Sequence, residues 1–226
     1  GVVPAVDGYF AEIRRICDEH EVLLIADEVM CGSGRTGTFY AHEHDRILPD
    51  MVTVAKGLGG GYQPIGAVIA RRHVCDTLHG GSEAFAHGHT YIGHAIACAA
   101  GVAIQKCLDD GVLDAVTGKG DRLLALLRER FGMHPHVGDI RGRGLFVGIE
   151  FVADVKTKTA FPAESGIPAR LKKSAMQHGL VCYPGGGSVD GRSGAHILLA
   201  PPYIAEDRHF EELADKLDRI LGDVFA

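Results

Sequence analysis

The sequence predicts an α/β fold. Helix-periodic segments alternate with short continuous apolar runs, Gly, Pro and Asp mark the junctions, and this order recurs loosely through the first half of the chain. Residues 8–20 place Phe10, Ile13, Ile16 and Cys17 at helical spacing. The run VLLIA at 22–26 then has the pattern of a strand buried on both faces. Pro49-Asp50 precedes MVTVA at 51–55, expected as a second buried strand. PIGAVIA at 64–70 is expected as a third, with Gly57–Gly61 as a flexible connection.

From Gly93 to Leu108 the small-residue pattern predicts a helix, broken by Asp109-Asp110-Gly111 ahead of an amphipathic helix between Val112 and Arg130. A domain boundary is expected there, with 1–108 as part of a larger sheet domain and 109–226 as a smaller α+β domain. In the second, 136–152 reads as two strands around a Gly-rich turn, 164–178 as a helix, LVCYPG and HILLAPPY as short strands, and Glu206–Leu221 as a closing helix. Composition gives the Gly-rich stretch at 185–194 no assignment.

The 226 residues are 46% apolar and 23% charged, which excludes a disordered chain and supplies enough apolar material for a core. A formal charge of −6 with no run of five or six like charges excludes a nucleic-acid footprint. The longest stretch without a charge or strong polar group, Ala95 to Ile104, is too short to cross a membrane. Cysteines at 17, 31, 75, 98, 107 and 182 include no C-x-x-C pair, and the opening Gly1-Val2-Val3-Pro4 carries no signal pattern. Reduced thiols in a cytoplasmic protein are the expectation, with small molecules or other protein chains as partners.

Two residues carry the chemistry. VLLIA runs into Asp27 and MVTVA runs into Lys56, and in open α/β sheets ligands bind outside the carboxyl ends of strands, so both side chains are expected at one crevice. The glycines that follow Lys56 let a flat ligand approach the backbone closely. A lysine amine able to be neutral, beside a carboxylate able to hold a pyridine nitrogen protonated, suits Schiff-base chemistry. The plain alternatives are a solvated strand end for Lys56 and a turn or cap for Asp27.

LLIADEVMCGSGRTGTFYAHE, PDMVTVAKGLGGGYQPIGAVIA and HGHTYIGHAIACAA resemble, in order and spacing, the signature of class III PLP-dependent aminotransferases. The resemblance continues through VGDIRGRGLFVGIEF and HILLAPPY, and covers the whole chain but only about the second half of a family member. It implies the PLP-dependent transferase fold of type I, here a partial large domain with a mostly parallel sheet and a smaller α+β domain. The implied cofactor is pyridoxal 5′-phosphate, and the implied reaction moves an amino group from an amine or amino acid to a keto acid, with pyruvate expected. A homodimer is implied for an intact chain.

By position, Lys56 would bond to the cofactor and shuttle the proton, and Asp27 would bind the pyridinium nitrogen. Val29 would pack on one face of the ring. Thr90, in a loop shaped by Gly88 and His89, would bond the phosphate of the neighbouring subunit's cofactor, or else simply cap the following helix. Met30 stands where many members carry a glutamine that contacts the ring 3′-oxygen, and a thioether cannot donate that bond. Met30 also occurs here in glutamate-1-semialdehyde aminomutases, whereas GRTG and KGLG are similar to the aminotransferases. Leu198 replaces the arginine that grips an α-carboxylate in ornithine-type members, a pattern closer to the ω-amino-acid:pyruvate group. Because the phosphate-binding Gly-Ser loop, the second stacking aromatic and much of the substrate pocket belong to the family's N-terminal half, the chain reads as a partial product. Alone, it is expected to bind PLP weakly and turn over slowly.

Within the PLP class, an aminomutase or a decarboxylating enzyme is the alternative; outside it, an NTPase or a non-catalytic remnant. VLLIADE reads as a Walker B strand, but no Walker A loop accompanies it: Gly118-Lys119 is preceded by Leu113 where the first glycine should stand. Gly32–Gly37 satisfies G-x-G-x-x-G without the helix that should follow. His42/His44 and His87/His89 lack a third metal ligand at suitable spacing and read as surface histidines.

Overall fold

The computed structural model describes residues 1–81 and 85–226. The chain forms two compact units, Ala5–Asp114 and Ala115–Ala226, with Gly1–Pro4 belonging to the second. The sequence-based division at 108/109 differs in both respects.

In the Ala5–Asp114 unit, Gly8 (φ 82°) turns the chain into α1 (Tyr9–Glu19). Three strands follow: β1 (Ile25–Asp27), β2 (Met51–Val54) and β3 (Ala67–Ala70), in the order β1-β2-β3. β1 pairs parallel with β2 in the register Ile25↔Met51, Ala26↔Val52, Asp27↔Thr53, and β3 pairs antiparallel with β2. The sheet among the described residues is therefore mixed. α2 (Arg72–Gly80) follows β3, and α3 (Ala95–Cys107) packs on the glycine run after β2. A methyl group at Gly60 would meet Ile104 of α3, and one at Gly101 would meet Ile65. Small residues are what let this helix approach, as its composition suggests. Its cap is His94, whose Nδ1 accepts from the Ala97 amide (3.3 Å), rather than Thr90. Gly111 (φ 96°) then breaks the helical path.

Burial corrects the strand expectations. Only the central strand is half-buried in the alternating sense, with Val52 and Val54 covered, while Ile25 is 55% exposed and Val68 65%. β1 and β3 are the flanks of this sheet, so their apolar runs present faces that no described residue of the unit covers.

The second unit is an antiparallel sheet with helices. Its strands are β4 (Val137–Arg143), β5 (Phe146–Asp154), β6 (Thr159–Ala160), β7 (Tyr183–Gly186) and β8 (Ala195–Leu199), ordered β4-β5-β8-β7, with β6 on β5. The helices are α4 (Asp114–Phe131), α5 (Ile167–Gln177) and α6 (Asp207–Phe225). Leu123, Leu127 and Phe131 of α4, Val147, Ile149 and Phe151 of β5, Leu171 of α5 and Leu217 and Ile220 of α6 share one core. Each set recurs at the period of its element, three or four in the helices and two in the strand. Arg141 holds the first residues in this unit by donating to the Val2 (2.8 Å) and Gly1 (2.9 Å) carbonyls. The unassigned stretch at 185–194 resolves into the end of β7 and a turn in which Asp190 accepts from the Arg192 amide (2.8 Å).

Two glycines of α4 differ in what surrounds them. A methyl group at Gly120 would collide with the backbone of Gly144 at the β4–β5 turn, whereas one at Gly118 would meet only the movable Arg122 guanidinium at 3.6 Å. Gly120→Ala is expected to lower stability by about 1–3 kcal/mol through overpacking. Gly118→Ala is expected to raise it by about 0.5–1 kcal/mol through helix propensity. Urea unfolding of the two variants checks this pair of opposite signs.

Candidate active site

The site is built on the parallel register of β1 and β2. Asp27 closes β1 opposite Thr53, and Lys56 follows the end of β2 by two residues, so both lie at the carboxyl edge of adjacent parallel strands. Asp27 Oδ1 accepts from the Val29 amide (3.1 Å) and the Thr53 hydroxyl (3.5 Å). Among the described residues its Oδ2 takes no donor, and the Lys56 amine makes no hydrogen bond or ion pair. Lys56 has φ 41°, in the left-handed region that costs a non-glycine residue of order 1 kcal/mol, and it opens a single 3-10 turn, Lys56–Gly59. A strained, unpaired lysine beside a half-paired carboxylate is an arrangement suited to holding a ligand.

Val29 is half-buried beyond β1 and Met30 is 40% exposed beside it. Asp27 and Lys56 share the carboxyl edge of β1 and β2, Val29 and Met30 follow Asp27, and Thr90 is exposed in the turn ahead of α3. Glycines after Lys56 leave the backbone bare: Gly61 (φ 81°) has open space where a side chain would stand.

Sequence reasoning missed what stiffens the loop after β1. Glu28 is only 3% exposed, and its carboxylate accepts from the Ala41 amide (2.8 Å), the His42 amide (2.9 Å), His42 Nδ1 (3.0 Å) and the Cys31 thiol (3.4 Å). Gly32 is needed at the bend, where a Cβ would stand 2.7 Å from the Glu28 carbonyl. One signal existed: Glu28 continues the strand alternation on the side of Ala26, so a carboxylate there turns inward and must be satisfied. The same bonds dispose of two rival readings. Glu28 has no capacity left to position water for nucleotide hydrolysis, and His42 is a nearly buried brace rather than a surface residue. His44 likewise turns inward, its Nε2 within 3.1 Å of the Thr38 hydroxyl and of the Thr36 carbonyl. No helix follows Gly37 directly, only the 3-10 turn Ala41–Asp45, and no metal-holding cluster occurs among the described residues.

Burial, with the charge of Glu28 beside it, pushes the Cys31 thiol up to about 12. It stays protonated and serves as a donor rather than a nucleophile. Glu28→Gln turns an NH2 group toward backbone donors and is expected to cost about 2 kcal/mol. It is also expected to lower the Cys31 pKa, which faster alkylation by a thiol reagent at pH 9 detects.

The family model for aminotransferase class-III matches residues 1–221. An aminotransferase of Gibberella zeae is 41% identical over 219 residues, spanning 96% of this chain and 43% of that protein. Among solved structures, a thermostable (S)-enantioselective omega-transaminase from Thermomicrobium roseum superimposes with a TM-score of 0.91 at 32% identity, covering 100% of this chain and 49% of that one. A PLP-bound aminotransferase mutant from Vibrio fluvialis gives 0.90 at 31%, with coverage of 100% and 49%. The chain spans about half the length of these relatives. Its PLP-dependent transferase fold of type I follows from the structural likeness, and with the family pattern running through nearly all of its residues, the chain belongs to the class-III aminotransferases.

Proposed function

We propose that Lys56, Asp27, Val29, Met30 and Thr90 are the residues through which this chain holds pyridoxal 5′-phosphate in an aminotransferase. The observation that carries the reading is the unpaired Lys56 amine and the half-paired Asp27 carboxylate at the carboxyl ends of neighbouring parallel strands. These groups fit the cofactor: one amine for its aldehyde, one carboxylate for its ring nitrogen, and bare glycine backbone beside them. When bound, it supplies an electron-withdrawing ring that stabilises negative charge at the substrate carbon.

The chain's residues divide the remaining work. Lys56 Nζ would hold the cofactor at its aldehyde and would move a proton at the substrate carbon. Asp27, held in place by the Val29 amide and Thr53, keeps the ring nitrogen protonated with its free oxygen. Val29 would pack against the ring, Met30 would offer it an apolar side chain, and Thr90 would donate to the phosphate bound by a partner subunit in a homodimer. The donor is an amine or amino acid and the acceptor a keto acid, pyruvate first. The apolar Leu198, and the likeness to an omega-transaminase, support a donor that needs no guanidinium at that position.

Titration with pyridoxal phosphate, borohydride reduction and peptide mapping test this reading. The expected result is a visible absorption band, trapped on Lys56 and absent from Lys56→Ala. Asp27→Asn is expected to keep the band and lose roughly 10²-fold or more in amino transfer to pyruvate. Label scattered over surface lysines alike in the parent and Lys56→Ala would overturn the assignment.

A further inference from the structure

Away from the carboxyl edge of β1 and β2, a cleft of about 400 Å³ opens between one face of α1, the segment 46–48 and the entry to α2. Its lining includes Arg14 and Asp18 from α1, Arg46, Ile47 and Leu48 from the segment, and Arg71. We propose that this cleft binds a small organic oxyanion, a carboxylate or phosphate, with its anionic head on Arg46 and Arg71 and its carbon body on Ile47 and Leu48.

The balance of charge supports this reading. Asp50 lies buried beneath the cleft and is shared by Arg14 (2.7 Å), Arg71 (3.7 Å), His73 (3.2 Å) and the Leu24 amide (2.8 Å). Asp18 takes the other side of Arg14 (2.7 Å). Three guanidiniums thus face two carboxylates, which leaves a net positive charge even with His73 neutral. The surplus is Arg46, whose exposed side chain makes no hydrogen bond or ion pair among the described residues. Arg46 also has φ 53°, a backbone conformation that glycine adopts freely and an arginine does not. This conformation closes the turn Ala41–Asp45, where glycine is the usual residue. Planar guanidiniums match the spacing of two oxygens on one carboxylate or phosphate, and the volume suits a small ligand. None of these residues belongs to the proposed cofactor site, so the inference stands apart from that reading.

The test is an NMR titration of the purified protein with acetate, butyrate and inorganic phosphate, followed at the arginine Nε–Hε signals, with Arg46→Gly and Thr90→Ala alongside. Saturable shifts are expected at Arg46, weakened by added NaCl, with butyrate tighter than acetate. Saturation by carboxylates alone, or by phosphate alone, identifies the head group. Arg46→Gly is expected to bind about tenfold more weakly or worse, and to keep or raise the thermal midpoint because the strain is gone. Thr90→Ala, which would lose phosphate held at the cofactor site, is expected to bind as the parent does. No saturable shift, or equal affinity in Arg46→Gly, would overturn the proposal.

Discussion

The parallel pairing of β1 with β2 is the constraint on which the candidate site depends. Side chains alternate along a strand, so a slip of one residue would turn Asp27 to the opposite face and separate it from Thr53. The register is held from both sides. Val52 and Val54 are covered, which fixes which face of β2 turns inward, and the Glu28 amide adds one more ladder bond to the Thr53 carbonyl (2.9 Å) just beyond Asp27. The buried Glu28 carboxylate then ties the loop leaving β1 to residues 41 and 42. Asp27 is thus a short, stiff extension of the sheet, with an oxygen aimed by backbone geometry rather than by a flexible loop.

What could be read from the sequence divides along physical lines. The helices α1, α4 and α6 were legible because their apolar residues repeat at the helical period, and the β4–β5 hairpin because Gly144 (φ 56°) sits where the turn requires glycine. Asp27 and Lys56 were legible because each ends an apolar run with a charge, a local signal. Burial on both faces of 22–26 was not, since composition records what a strand can be covered by and not what lies beside it in this chain. Glu28 and His42 escaped because they are 14 residues apart and the other partners of the carboxylate include backbone amides, which carry no side-chain signature; His44 escaped because it bonds a backbone carbonyl eight residues back. The short strand β6 escaped because two residues show no period.

Solvent exposure separates the two units in character. The core of the second gathers three helices and three strands, and its largest side chains are fully covered. The Ala5–Asp114 unit keeps apolar side chains such as Ile25, Val68, Tyr91 and Ile96 open, with ion pairs such as Arg14–Asp50 holding helix to sheet. The second unit opens fewer such side chains, Met133, Val181, Tyr183 and Ile204 among them, and these stand outside its shared core.

Among the described residues of the Ala5–Asp114 unit, Glu21, Ser33, Arg46 and Lys56 take left-handed backbone without being glycine. Lys56 and Arg46 both accept it, at φ 41° and 53°, although each is close to a glycine or a turn where glycine would relieve the strain. Gly60 and Gly61, four and five residues after Lys56, take the same region at no cost, so glycine is used there wherever no side chain is wanted. At position 56 glycine would remove the amine on which the candidate chemistry rests, and the strain is the cost of placing that amine immediately after a strand. Position 46 accepts the same strain at the end of the turn Ala41–Asp45, and among the described residues its charge has no partner, so the guanidinium stays open to a ligand.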